Sequence, residues 1–304
     1  MPLGGVIPPM VTPLLERDQL DHGGLERLIE RIIAGGVHGL YILGTTGEAP
    51  ALSYRLRREL IERTCHQVAG RVPVLVGVTD PAFTESIALA GRAQESGAQA
   101  VVVAPPYYFS ASQPELLGYL ERLASQLPLP LFLYNAPTNT HHFLDPATVR
   151  RAAEMPNIIG LKDSSANMIY FHAVQTLFED RPDFTLLVGP EELMAEAVLL
   201  GGHGAMCGGT NFYPQLYVDL YREAVAGNLE AVNRLQRRVM QISTTVYHVS
   251  SADSSYLRGV KCAMSLLGIC SDFMAEPFQA FDAAEREQVR RHLIAAGLLG
   301  EEGL

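Results

Sequence analysis

Short apolar runs alternating with helix-like stretches constrain this 304-residue chain more than any other feature of it. Eight such runs occur, at 6–14, 39–43, 72–78, 100–104, 129–134, 158–161, 185–188 and 204–207. The stretches between them, such as 25–34 with Leu25, Leu28, Ile29, Ile32 and Ile33, place apolar residues at helical spacing. The runs themselves are apolar throughout and bounded by Gly or Pro, the pattern of strands buried on both faces of a parallel sheet. Eight strands, each followed by a helix, predict an α/β fold of the (β/α)8 TIM-barrel type, with a doubly wound open sheet as the structural alternative. From about residue 228 the periodicity is helical only, over 229–247, 253–267 and 283–298. The expected organisation is therefore a barrel over 1–227 and a C-terminal helical extension packed on it over 228–304.

Composition narrows the function classes. With 48% hydrophobic and 18% charged residues, there is material for a large core and no sign of disorder. A net charge of −10 argues against nucleic acid as a partner, because neutralising phosphates needs clustered positive charge. Cys65, Cys207, Cys262 and Cys270 form no CxxC pair, which argues against a disulfide framework or structural zinc. No apolar run reaches the roughly 18 residues of a membrane span, and the first residues lack the basic-then-apolar pattern of a signal peptide. The expected location is the cytoplasm and the expected partners are small molecules.

In a barrel the chemistry collects at the C-terminal ends of the strands. Those positions carry Thr45, Thr46 and Glu48 after the second run, Tyr107 and Tyr108 after the fourth, and Tyr134 and Asn135 at the fifth. Lys162 and Asp163 end the sixth, Glu191 and Glu192 follow the seventh, and Thr210 and Asn211 follow the eighth.

Of 23 basic residues only Lys162 and Lys261 are lysine; the rest are arginine, as a GC-rich genome would favour. Lys162 ends the run IIGLKDSS, where an ammonium needs a partner such as Asp163 or a backbone carbonyl. An electrostatic role could be filled by arginine, which cannot lose its proton. Lysine alone can become a neutral amine that attacks a carbonyl. Schiff-base formation is thus the sharper reading for Lys162, while Lys261, on an extension helix, suits a helix-surface or helix-to-barrel ion pair. Tyr134 in LFLYNAP ends the neighbouring strand, where a phenol either fills the barrel or moves protons beside the lysine. GTTGE, at 44–48, can turn N–H groups toward a carboxylate or phosphate or be a plain strand-to-helix turn, and it is not a Walker loop. His141, His142, His203, Glu191 and Glu192 are the candidate metal ligands, but they lack HExxH or facial-triad spacing, so no metal is expected.

GTTGE, PPYYF, YNAP, IIGLKDSS and GGHGAMCGGTN, in that order along the chain, resemble the dihydrodipicolinate synthase and N-acetylneuraminate lyase family of class I pyruvate-dependent aldolases. The resemblance implies a TIM barrel, assembled as a homotetramer of paired dimers, that holds pyruvate or a 2-oxo acid as an imine on Lys162 without a separate cofactor. It implies Tyr134 as the proton-transferring phenol, and Thr45 and Thr46 as carboxylate holders. Thr45 also links Tyr134 to Tyr108, a tyrosine that reaches a neighbouring subunit's site in the synthases. Gly47, Ser164 and Met206 in the same motifs are further substrate-binding candidates. The synthases carry an arginine for aspartate semialdehyde where this chain has Asn139. The sialic acid lyases hold their polyol tail with an acidic pair that Glu191 and Glu192 resemble, and use a hydroxyl residue where this chain has Gly208. Asn139 and Thr140 resemble the pair of the 4-hydroxy-2-oxoglutarate aldolases. The resulting expectation is an aldolase or lyase joining or cleaving pyruvate and a hydroxylated or sugar-acid-type aldehyde. Alternatives are dihydrodipicolinate synthase proper, a 2-oxo-3-deoxy sugar acid dehydratase, and a non-catalytic 2-oxo-acid binding barrel.

Overall fold

The computed structural model describes residues 3–300. Eight parallel strands curl into a TIM barrel: β1 (Gly5–Val6), β2 (Leu40–Ile42), β3 (Val74–Gly77), β4 (Ala100–Val103), β5 (Leu131–Asn135), β6 (Ile158–Asp163), β7 (Thr185–Val188) and β8 (Gly204–Ala205). Neighbouring strands pair in sequence order from β2 to β8, and β8 pairs with β1. Closure between β1 and β2 runs through Pro8, Pro9 and Met10. The Tyr41 N–H donates to the Pro8 carbonyl at 2.9 Å and the Met10 N–H to the Tyr41 carbonyl at 2.8 Å.

The first expected strand is much shorter than the apolar run 6–14. Pro8, Pro9 and Pro13 lack the N–H that a continuous ladder needs, and Leu14–Glu16 instead pairs antiparallel with Gln19–Leu20 in a small hairpin.

Helices α1 (His22–Ala34), α2 (Tyr54–Val68), α3 (Phe83–Glu95), α4 (Gln113–Ala124), α5 (Pro146–Ala152), α6 (Met168–Leu177), α7 (Met194–Leu199) and α8 (Pro214–Val225) surround the barrel. Two apolar layers result. One lies between sheet and helices; the other fills the barrel with Ile7, Tyr41, Leu75, Val102, Phe132, Tyr134, Leu187 and Met206, among others. Helices α9 (Leu229–Thr245), α10 (Ser255–Leu266) and α11 (Ala283–Ala295) follow, and α9 packs along α8.

Lys261 on α10 ties these helices to the barrel mouth. It forms an ion pair with Glu48 of GTTGE, both side chains 1% exposed, and donates to the Phe273 carbonyl at 2.8 Å. The other Glu48 oxygen accepts from the Ala275 N–H at 2.8 Å. Removing one partner of such a pair typically costs about 3–5 kcal/mol, because the other is left buried and uncompensated.

A register shift decides where Lys162 points. Leu131 pairs with Ile158 but Phe132 pairs with Gly160, so β6 carries one extra residue, Ile159, against β5. Strict alternation from Ile158, which faces the helices, would turn Lys162 toward the helices as well. The bulge resets the phase, so that Lys162 pairs with Tyr134 and both face the interior. Gly160 makes this possible by its missing side chain: a Cβ there would lie 2.4 Å from the Phe132 ring and 2.5 Å from the Thr185 carbonyl oxygen. Gly160→Ala should therefore destabilise the fold by about 1–3 kcal/mol through overpacking. Thermal unfolding checks this, and an unchanged Tm would show that the close approach is not limiting.

Candidate active site

Lys162 and Tyr134 lie side by side on β6 and β5, near the C-terminal ends of both strands. Lys162 is 4% exposed, with Nζ 4.2 Å from the centroid of the Tyr134 ring and 5.2 Å from that of Tyr41 on β2. Two ring faces thus replace part of the water the amine gives up. Asp163 does not pair with it. That carboxylate accepts from Asn135 Nδ2 at 2.8 Å and from the Ser165 hydroxyl and N–H.

Burial pushes the Tyr134 phenol up, but the charge Lys162 carries when protonated and the Ser164 and Thr45 hydroxyls pull it down, and the net position is below the ordinary phenol value. Thr45 Oγ1 is 3.5 Å from the Tyr134 hydroxyl. The result is a phenol readied to give up and recover a proton beside an amine. Ser164 has room because residue 189 is glycine; a Cβ there would lie 1.9 Å from the serine oxygen.

Leu43, just before GTTGE, and Glu48, its last residue, both have positive φ, 58° and 55°. Within it, Gly44 and Thr45 carbonyls take the N–H groups of Gly47, Glu48 and Ala49, whereas those of Thr45 and Thr46 meet no protein acceptor among the described residues. Two hydroxyls and two N–H groups on one loop suit a carboxylate. Gly47 is buried, with its carbonyl accepting from Thr12 at 2.7 Å, and a Cβ on it would press on the Met10 carbonyl at 3.0 Å. Met206 lies in the barrel interior with Tyr134.

The other candidates make different contacts. Tyr108 is 77% exposed, edge-on to Phe109 at 5.0 Å, and no hydrogen bond joins it to Thr45 among the described residues. Asn139 is exposed in a short helical turn, Pro137–Thr140. Glu191 corrects the expectation of a carboxylate aimed at substrate hydroxyls, for its oxygens already accept from the Gly209 N–H at 2.8 Å, the Tyr247 hydroxyl at 2.7 Å and the Tyr217 hydroxyl. It holds the turn after β8. Glu192 accepts from the Ser243 hydroxyl of α9. Both ring nitrogens of His142 are engaged by the Ala111 N–H and the Thr140 carbonyl, at 2.8 Å each, and His203 Nδ1 accepts from the Leu186 N–H. Asn211 bonds to Val11, Pro9 and Gly208 backbone groups. Two tyrosines escaped the sequence reading: Tyr41, an apolar-run residue, and Tyr256 on α10, whose hydroxyl is 3.2 Å from Thr46 Oγ1. Only the three-dimensional return of α10 to the mouth reveals the second.

An amine and a phenol facing each other inside the mouth of a (β/α)8 barrel, beside a carboxylate-sized hydroxyl loop, define a class I aldolase, a carbon–carbon lyase. The chain belongs to the dihydrodipicolinate synthetase family, which it matches over residues 2–296. It is 32% identical to a 4-hydroxy-tetrahydrodipicolinate synthase of Acidiphilium cryptum, covering 97% of this chain and 99% of that one. It is 32% identical to YagE of Escherichia coli K12, a putative 2-dehydro-3-deoxy-D-gluconate aldolase, over 94% of each. Among solved structures, a dihydrodipicolinate synthase of Bacteroides thetaiotaomicron is 57% identical with a TM-score of 0.95, covering 97% of this chain and 99% of that one. YagE in complex with pyruvate superposes with a TM-score of 0.92 at 32% identity, covering the same shares.

Glu191 generates a pH prediction. Burial pushes its carboxyl up to about 7, opposed by the Gly209 N–H and the two tyrosines and assisted by Glu192. Between the ordinary 4.5 and about 7 the unfolded chain has released this proton and the folded chain has not. The stabilisation is therefore complete below that window and lost as pH rises through it, on the order of 3 kcal/mol in all. Glu191→Gln should remove this component from the stability–pH curve, as measured by urea unfolding from pH 4.5 to 8. Parallel curves for the two proteins would place the proton elsewhere.

Proposed function

We propose that the protein joins or cleaves pyruvate and a hydroxylated or sugar-acid-type aldehyde through an imine on Lys162. The carrying observation is the pairing of Lys162 with Tyr134 across β5 and β6, with Nζ 4.2 Å from the phenol ring. In this reading the neutral amine adds to the C2 carbonyl, and Tyr134 relays protons as the carbinolamine loses water. In the cleavage direction Tyr134 takes the C4 hydroxyl proton, the C3–C4 bond breaks, and its electron pair enters the C3–C2–N enamine. The aldehyde leaves, C3 is protonated, and water releases pyruvate. Synthesis runs the steps in reverse. Thr45 and Thr46 hold the 2-oxo acid's carboxylate with Gly47; Ser164 and Met206 line the reacting carbons, with Glu192 and Asn139 toward the aldehyde. The imine needs no metal or other cofactor. The pyruvate complex of YagE supports the 2-oxo acid.

The reading includes a homotetramer of paired dimers in the cytoplasm, in which the exposed Tyr108 reaches a neighbouring copy, and a barrel over 1–227 with an extension over 228–304. Among the described residues no helix is long and apolar enough to cross a membrane. The 57% identity to a dihydrodipicolinate synthase favours a second reading, in which the aldehyde is aspartate semialdehyde. Against it, Asn139 offers dipoles but no charge to a second carboxylate, forgoing a charge-assisted bond of about 1.5–3 kcal/mol.

Pyruvate with borohydride should label Lys162 and not Lys261 in peptide mapping, and Lys162→Arg should fold without labelling. Label on Lys261 would overturn the mechanism. Tyr134→Phe should slow turnover roughly 10²–10⁴-fold, the usual scale for a lost acid–base group; near-normal turnover would reduce Tyr134 to packing. For the aldehyde, kcat/KM should favour glyceraldehyde or longer sugar aldehydes over aspartate semialdehyde, and the opposite preference would establish the second reading.

A further inference from the structure

Tyr256 stands on the first turn of α10, far in sequence from every strand end, yet its phenol reaches the barrel mouth between the loops after β2 and β8. Its hydroxyl is 3.2 Å from Thr46 Oγ1. A Cβ on Gly208 would lie 1.7 Å from that hydroxyl and 2.8 Å from the carbon bearing it. Gly208 is thus a socket, and the phenol occupies the space a side chain there would need. The ring is held from behind: Tyr247 meets it edge-on at 4.9 Å, and Glu191 fixes both the Tyr247 hydroxyl and the Gly209 N–H.

The consequence follows from counting protons. Thr46 has one hydroxyl proton and two lone pairs, and a bound carboxylate can only accept. If the phenol accepted from Thr46, the threonine would have nothing to give the carboxylate. Thr46 is the one hydrogen-bond partner of Tyr256 among the described residues. With a carboxylate bound at Thr46, the phenol must therefore donate to Thr46 Oγ1, leaving the Thr46 proton for the carboxylate.

We propose that Tyr256 is a positioning residue for the carboxylate of the 2-oxo acid, acting through Thr46, with Gly208 as the socket that admits it. Glu191 and Tyr247 keep the phenol in register. The extension thereby takes part in substrate binding. This inference rests on the imine-forming reading above and adds a residue to its carboxylate subsite.

The test uses the full-length protein and borohydride trapping across a pyruvate titration. Tyr256→Phe keeps the ring and deletes the hydroxyl. It should raise the pyruvate concentration for half-maximal trapping about tenfold, the size of one oriented hydrogen bond, while the final label at saturation matches wild type. Trapping of hydroxyacetone, a ketone with no carboxylate, should be the same in both proteins. Gly208→Ala leaves Tyr256 intact but drives a methyl into its hydroxyl, and should raise half-saturation by a similar factor. Combined with Tyr256→Phe it should add little, since both changes remove one interaction. Half-saturation within twofold of wild type in either variant, or an equal loss with hydroxyacetone, would overturn the inference while leaving the aldolase reading standing. Absence of any label on wild type would overturn both.

Discussion

A lysine amine inside a closed barrel is the constraint on which the rest of this molecule turns. The interior of an eight-stranded barrel is packed with side chains and offers little water, so an amine placed there must find other company. It finds ring faces from Tyr134 and Tyr41, and the hydroxyls of Thr45 and Ser164 lie beside the first of these rings. None of these groups is an anion. A carboxylate partner would hold the amine as a fixed cation, and rings and hydroxyls bring no such charge. The neighbouring Asp163 is accordingly occupied by Asn135 and Ser165.

The two lysines show the same side chain put to opposite uses. Lys261 is as deeply buried as Lys162, but it meets Glu48 directly and a backbone carbonyl as well, so its charge is neutralised in place. Glu48 closes GTTGE at a positive φ and also receives the Ala275 N–H. The loop that carries Thr45 and Thr46 is thus anchored by α10 and the segment after it. With Tyr256 on the same helix touching Thr46, the C-terminal helices fix both the end of this loop and the hydroxyl at its centre.

How far this was legible in the sequence depends on the range of the interaction concerned. Seven of the barrel strands overlap their apolar runs closely, because burial on both faces leaves a local signature. At the first, prolines cut the ladder, and the apolar residues beyond them pack beside GTTGE and the turn after β8 or enter a hairpin. Lys162 and Tyr134 were visible as strand-end residues, but the bulge at Ile159 was not, and without it the phase of β6 would have put the amine on the wrong face. Glu191 was read as facing substrate because Glu191 and Glu192 resemble the acidic pair of the sialic acid lyases. Its engagement depends on Tyr217 and Tyr247, residues 26 and 56 positions away, which no local pattern announces. Tyr256 is hidden for the same reason: its partners are 210 residues back, at Thr46, and at the loop after β8.

These contacts divide the site into two halves with different freedom to change. On the amine side, Lys162, Tyr134, Thr46 and Gly160 are locked by register, by close glycine contacts and by the α10 anchor, so a substitution disturbs the barrel as well as the chemistry. On the far side, Asn139, proposed to face the aldehyde, is exposed in a short turn, and no strand register depends on its side chain. A barrel built this way can keep the imine chemistry constant while exchanging the aldehyde it accepts. Glu191 marks the boundary between the halves. Although it lies beside Glu192 in sequence, its carboxyl belongs to the locked side, because the turn after β8 and the seat of Tyr256 both depend on it.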